Sequence, residues 1–299
     1  MNSERINNVA SLIPRSSKRR KVIRRGSTNW PLTVAAAFLG VIFFVPALWM
    51  VIGSFRPTKE IFETMSEFNW SLLIPSEISL DNYEELMIRL NFDRALWVSA
   101  FTTFWAVFIG LCLAISAAYA LGVLNFPGRG FVFSLVIISF MMPFDAIAIP
   151  LSQLFTDWGL ANTAIGLILP AIANGLAIFQ LRQYFLGIPR SFRESAMIDG
   201  ASEPQILWKV YLPISGPALI NCGLLLFLGK WTAYLWPLLI VSDVDLQVAP
   251  IALARTFGER AANYGANFAG SVILSLVPAL IIFALQRNFG RIDWGSEEK

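Results

Sequence analysis

The sequence predicts an all-α integral membrane protein with six transmembrane helices and both termini in the cytoplasm. Three observations carry that expectation. Hydrophobic residues make up 56% of the 299 and charged residues only 14%, with a mean hydropathy of +0.61. Soluble domains hold about 25% charged and about 45–50% apolar residues. The apolar residues gather in continuous runs long enough to cross a bilayer core, which takes about 20 residues as helix; a barrel would need alternating strands of roughly ten. Finally, sixteen of the 23 Lys and Arg fall on the side of the two tails and six on the other, with Lys230 inside a span. Cytoplasmic loops carry that excess.

Residues 1–30 form a basic tail containing Lys18, Arg19, Arg20, Lys21, Arg24 and Arg25. No small-residue cleavage site follows, so the first helix, 31–53, is expected to be retained and not removed as a signal peptide. Residues 54–94 form an external loop with eight acidic residues, Glu60, Glu63, Glu67, Glu77, Asp81, Glu84, Glu85 and Asp93, against four basic ones. Apolar residues from Leu80 to Leu96 recur near helical spacing, which predicts a helix along the membrane surface. It is either a docking face for an external partner or a solvated acidic face. The core, 95–287, holds five further spans at 96–124, 131–152, 164–186, 214–240 and 265–287, and 288–299 form a cytoplasmic tail. Pro143, Pro150, Pro170, Pro217, Pro237 and Pro278 interrupt these spans. Each removes a backbone donor and can kink its helix.

Absences narrow the chemistry. There is no histidine, and the two cysteines, Cys112 and Cys222, sit far apart inside apolar runs, so neither a His-based catalytic centre nor a four-ligand zinc site is available. No phosphate-binding G-x-x-x-x-G-K-[ST] loop occurs. Nucleotide hydrolysis therefore belongs to another chain, and an enzyme is not expected here.

The segment 188–213 is the most informative. Ser191-x-x-Glu194 reads as a capping box, with Ser191 as N-cap and Glu194 reaching back. Gly200 is placed to end that helix in a left-handed conformation. A second box, Ser202-x-x-Gln205, opens a second helix that leads to Pro213. The result is a short, Gly-cornered helix pair between two spans.

Its residues carry a resemblance. Glu194-Ser195-Ala196, three residues, Gly200, nine residues, then Val210-Tyr211-Leu212-Pro213 is similar to the E-A-A-x3-G-x9-I-x-L-P motif of the inner-membrane subunits of ATP-binding-cassette (ABC) importers. Ile198-Asp199-Gly200-Ala201-Ser202 and the run from Phe227 through Trp231, Tyr234 and Pro237 to Leu238 resemble the carbohydrate branch, in particular the second permease subunit of maltose-type importers. The likeness covers roughly 90–287.

The resemblance implies a type I ABC importer permease fold in a bacterial or archaeal inner membrane. It implies pairing with a sister permease as a heterodimer, two ATPase subunits beneath that hold ATP and Mg, and an extracytoplasmic solute-binding protein. No cofactor is expected on this chain, and no nucleic acid among its partners. Glu194, Ser195, Ala196, Asp199, Gly200, Leu212 and Pro213 become the ATPase-coupling residues, with Glu194 either meeting an ATPase arginine or capping its helix. The C-terminal Trp294-Gly-Ser-Glu-Glu-Lys299 departs from the family's Gly-rich basic end, which puts a C-terminal contact with the ATPases in doubt.

Asp145 and Lys230 are the conspicuous charges within spans. Along straight helices they lie roughly 21 Å from Phe131 and roughly 24 Å from Ile214, similar depths. They either pair across the two helices, or Lys230 snorkels outward while Asp145 caps a kink at Pro143. Asn174, Gln180, Gln183 and Asn221 add hydrogen-bonding capacity, and Trp231, Tyr234 and Trp236 offer flat faces for sugar stacking or for anchoring at the membrane interface. The expected pathway residues are Asp145, Asn174, Lys230, Trp231 and Tyr234. The expected cargo is a sugar or oligosaccharide, with glycerol-3-phosphate or another polyol derivative as the alternative. An ion-coupled secondary carrier using Asp145 would need inverted repeats, and the sequence displays none.

Overall fold

The computed structural model describes residues 30–57, 60–61, 77–256 and 263–289. The basic tail up to residue 29, Glu63, Glu67 and the terminal Trp294–Lys299 run lie outside the described residues. Every element among those described is helical. The chain divides after Leu48 into two units. In the first, residues 30–48 belong to helix α1 (Trp30–Ser54), with Phe38, Phe43 and Phe44 exposed. Everything below concerns the second unit.

Helix α2 (Asp81–Glu84) runs into a π-helical turn at Glu85–Arg89. The buried Asn82 amide donates to the carbonyls of Ser54 (3.0 Å) and Arg56 (2.7 Å), acceptors that a helix end leaves without intrahelical donors. The helix expected from Leu80 to Leu96 is not continuous. Asn91 adopts a left-handed φ of 49°, and Phe92 opens a new helix, α3 (Phe92–Gly122). Leu86 and Phe92 are buried against Ala95, Ala249, Leu253, Ala266 and Ala269, so this stretch packs on protein.

Helix α3 is the spine. Ala95, Ser99, Thr102, Ala106, Gly110, Ala114 and Ala118, spaced three or four apart, form its buried stripe. Small residues let backbones approach in a membrane bundle. A Cβ on Gly110 would lie 3.3 Å from the Ile172 carbonyl oxygen, which shows how close the neighbouring helix comes.

Helices α4 (Arg129–Met141) and α5 (Phe144–Asp157) meet at 95°. Met142 is extended ahead of Pro143, as the residue before a proline prefers, so the expected span at 131–152 is interrupted at Pro143, as the sequence suggested. Helices α6 (Ala164–Ile172) and α7 (Gly175–Gly187) follow, each capped by a side chain. Thr163 Oγ1 accepts from Gly166 N (3.0 Å), and Asn174 Oδ1 accepts from Ala177 N (2.9 Å). Next come α8 (Arg190–Ile198) and α9 (Glu203–Ile206), the latter continuing through a π turn to Ile214. Helix α10 (Gly216–Trp231) leaves that segment at 86°. The expected span at 214–240 ends at Trp231. Helix α11 (Leu235–Ile240) starts afresh and places Pro237 in a first turn, where its missing N–H is no loss. Helices α12 (Ala249–Arg255) and α13 (Tyr264–Phe289) complete the order.

Four helical segments among the described residues are long and apolar enough to cross a membrane: Trp30–Ser54, Phe92–Gly122, Ala164–Gly187 and Tyr264–Gln286. There are up to six if each bent pair is one span. The core concentrates at two ends of α3. One cluster joins Ala114, Ala118 and Tyr119 to Leu181, Phe185, Ile206, Tyr211 and Cys222. The other joins Val98 to Phe155, Leu167, Trp236, Ile240 and Ile251.

Candidate coupling site

The 188–213 segment is held by bonds that each answer a helix-end requirement. Pro189 is the N-cap of α8, with extended backbone and no side-chain cap. The Ser191 capping box is thus corrected: the fixed φ of Pro189 starts the helix two residues earlier, Ser191 falls in the first turn, and Glu194 has no N-cap to reach. At the other end Gly200 adopts φ +78°. Gly200 N donates to Met197 O (3.0 Å) and Ala201 N to Ala196 O (2.9 Å), the paired bonds of a Schellman motif. Ser195 O accepts from Asp199 N at 3.1 Å. A Cβ on Gly200 would meet nothing within 4 Å, so backbone conformation and not space demands glycine here. The second capping box forms as expected, with Ser202 N donating to Gln205 Oε1 at 2.9 Å.

A cluster not singled out in the sequence joins the two short helices to the bundle. Glu203, in the first turn of α9, accepts from Arg193 of α8 at both carboxylate oxygens and from the Tyr119 hydroxyl of α3 at 2.6 Å. The Arg193 guanidinium is the main cause that holds the Glu203 carboxyl below its ordinary value, and the Tyr119 hydroxyl adds to it. Arg193 is correspondingly pushed up, Glu203 being the largest cause. Arg193 and Glu203 flank the predicted Gly corner with opposite charges, a signal available in the sequence. Tyr119 had none, because its partner lies 84 residues away.

What the segment presents outward is a mixed face. Glu194, Ser195 and Asp199 are exposed, and no hydrogen bond or ion pair among the described residues engages the Glu194 carboxylate. Phe192, Met197 and Trp208 are exposed, and Ile198 is 87% exposed. Ala196 and Leu212 turn partly inward, while Pro213 is exposed. Two exposed carboxylates, Glu194 and Asp199, thus share the surface of this segment with several exposed apolar side chains.

Residues 106–291 match the family model described as binding-protein-dependent transport system inner membrane component. The chain belongs to that family. Among relatives of this permease component, the arabinooligosaccharides transport system permease protein AraQ of Halalkalibacterium halodurans is 36% identical over 269 residues, 87% of this chain and 93% of that one. The lactose transport system permease protein LacG of Rhizobium radiobacter is 28% identical over 254 residues, 85% and 89%. The sn-glycerol-3-phosphate transport system permease protein UgpE of Brucella abortus is 29% identical over 226 residues, 73% and 80%. Among solved structures, a chain of a bacterial ABC transporter involved in import of the acidic polysaccharide alginate superposes with a TM-score of 0.74 at 24% identity, covering 86% of this chain and 95% of its own. The permease component therefore has the type I ABC importer permease fold.

The expected pathway residues of the permease fare differently. Asp145 is exposed in the first turn of α5, while Lys230 is buried and its Nζ donates to the Leu167 carbonyl at 2.8 Å. No ion pair joins the two among the described residues. The depth argument failed because the 95° bend at Pro143 invalidates distances counted along a straight helix. Asn174 serves as the N-cap of α7. Gln180 Oε1 is buried without a hydrogen-bond partner among the described residues.

Trp231 and Trp236 are each only 5% exposed, so neither presents a free face on which a sugar could stack. Their indole nitrogens answer the prolines. Pro170 lacks the N–H that would bond the carbonyl four residues back, Gly166, and Trp236 Nε1 donates there at 3.0 Å. Pro278 leaves the Leu274 carbonyl free in the same way, and Trp231 Nε1 donates to it at 3.0 Å. These tryptophans pin α11 to α6 and α10 to α13. Tyr234, 45% exposed, is the one aromatic of the three left available.

Proposed function

We propose that this chain is one permease half of an ATP-driven, binding-protein-dependent importer of sugars or oligosaccharides, coupled to its motor through the 188–213 loop. The observation that carries the reading is the knob that this loop forms. It is internally bonded and corner-locked at Gly200, and it exposes Glu194 together with Phe192, Met197 and Ile198. In this reading Glu194 pairs with a cation in a cleft of an ATPase subunit, which holds the ATP and Mg, while the apolar side chains fill that cleft. Ser195, Asp199, Leu212 and Pro213 shape the surround. The basic excess on the tail side supports a cytoplasmic loop and cytoplasmic termini, in six spans across a bacterial or archaeal inner membrane. A sister permease completes the pathway as a heterodimer, and an extracytoplasmic binding protein delivers the solute.

The carbohydrate cargo is supported by the names of AraQ and LacG. UgpE favours glycerol-3-phosphate or a related polyol derivative as a second reading. Asp145, Lys230 and Tyr234 remain the residues proposed to border the pathway, with Asn174 and Trp231 contributing as the cap and pin that hold it.

The test is gentle-detergent purification of the tagged chain from its native host, with mass spectrometry and ATP-dependent uptake in liposomes. Recovery of a second permease and a phosphate-loop ATPase, with uptake requiring ATP, is the expected result. Recovery of the chain alone, transporting without ATP, overturns the reading and favours a carrier that uses Asp145.

A further inference from the structure

We propose that Tyr119 is a positioning residue through which the 188–213 loop moves the α3 span directly, without relying on the covalent connections of the loop. The inference rests on the importer reading above. Three observations support it. First, the covalent exit from the loop is poorly aligned for pushing: the segment Glu203–Ile214 meets α10 at 86°, so force along one is directed across the other. Second, a non-covalent route bypasses that corner. Glu203 holds Arg193 of the knob through both carboxylate oxygens and Tyr119 of α3 through Oε2 at 2.6 Å. Bonds to an ionised carboxylate are roughly twice as strong as neutral ones, and this one joins residues 84 apart in sequence.

Third, the Tyr119 ring is wedged as well as bonded. It stands edge-on to Tyr211 of the loop at 5.1 Å and to Phe185 at the end of α7 at 6.4 Å, and those two rings meet each other at 5.6 Å. Tyr119 is buried, so a displaced knob carries the ring with it. Higher on the same helix, the close approach of Gly110 to the α6 backbone passes a tilt of α3 to the helix that Lys230 and Trp236 hold. The strut thus runs Arg193, Glu203, Tyr119, α3, α6.

Cys112, exposed and two turns before Tyr119 on α3, gives a native reporter position, since Cys222 is buried. A nitroxide on Cys112 in the complex isolated from the native host reads α3 movement on addition of ATP and vanadate, while phosphate release reads hydrolysis. For Tyr119→Phe, which keeps the ring and removes the hydroxyl, hydrolysis is expected to stay within about twofold while the ATP-driven spectral change falls about five- to tenfold, the low end of an inter-site coupling. Glu203→Gln is expected to do the same, and the double variant Tyr119→Phe/Glu203→Gln to lose no more than either alone.

A purely stabilising role lowers both signals together, in proportion to intact complex, and overturns the proposal. Independent, multiplying losses in the double variant also overturn it. An unsubstituted complex that hydrolyses ATP and moves α3, beside a Tyr119→Phe complex that does both equally well, defeats the strut and spares the importer reading. An unsubstituted complex with neither response defeats both.

Discussion

Trp231→Phe removes one hydrogen-bond donor from the junction of α10 and α13, together with part of a buried ring. The phenyl ring retains contact with Phe227, whose ring lies 5.6 Å away and nearly parallel. The Leu274 carbonyl loses the indole N–H that bonds it at 3.0 Å, and its natural donor is missing because residue 278 is proline. In water-soluble proteins an abandoned buried acceptor costs about 1–3 kcal/mol. Interhelical bonds measured in a membrane protein average about 0.6 and reach about 1.7 kcal/mol. The membrane figures are the relevant ones, so a cost of about 1 kcal/mol is expected, or roughly 2–4 °C in melting temperature. The decisive comparison uses Pro278→Ala, which restores an N–H to bond Leu274. In that background Trp231→Phe is expected to lose most of its effect, leaving a coupling of about 1 kcal/mol between the sites. The assay is thermal unfolding in detergent followed by a thiol-reactive dye at the buried Cys222, with Cys112→Ala removing the exposed thiol. Equal destabilisation in the two backgrounds refutes the pairing of tryptophan with proline.

Gly200→Val places a β-branched residue at φ +78° and is expected to strain the corner by at least roughly 1–2 kcal/mol. Membrane insertion should stay normal while ATP-dependent uptake falls more than tenfold; uptake at the normal rate refutes the role of the corner. Glu194→Ala deletes the exposed carboxylate without touching a bond inside the knob, so co-purification of the ATPase is expected to weaken with the melting temperature unchanged. Acid should loosen the knob through Glu203. Its folded pKa lies below the ordinary 4.5, so the stabilisation is fully present above 4.5 and is lost as pH falls through the lower folded value. Hydrogen-exchange protection factors across residues 193–206, taken relative to the intrinsic rate at each pH, should therefore be flat from pH 8 to 5, fall in acid, and show no such step in Glu203→Gln.

The legible parts of this protein were those governed by local rules. Gly200 and the box at Ser202 were readable because helix ends need particular residues within a few positions, and the structure places both as expected. Ser191 misled because Pro189 offered a start two residues earlier, and a capping pattern cannot tell which of two nearby residues wins. Prolines marked where spans break, yet nothing in the sequence said that Pro143 produces a near right angle while Pro278 leaves a helix running from Tyr264 to Phe289. At Pro278 a tryptophan 47 positions away in sequence donates to the carbonyl that the proline leaves free, a partner that spacing along the chain does not reveal. The Tyr119 bond to Glu203 and the Lys230 bond to Leu167 are similarly non-local, so one-dimensional spacing carried no trace of them, whereas the opposite charges of Arg193 and Glu203 about the corner were there to be read. Depth counting for Asp145 failed because it presumed straight rods.

The right-angled break between α4 and α5 bears on what this subunit needs around it. Each half is short, 13 and 14 residues, or roughly 20 Å, against a hydrocarbon layer of about 30 Å. The first half buries no residue at all within the chain, and the break frees backbone groups that lipid cannot satisfy. Neither rod traverses the layer alone, and the chain supplies little of its own cover for them. The cover that these two rods lack within the chain has to come from outside it, a demand set by the geometry at one proline.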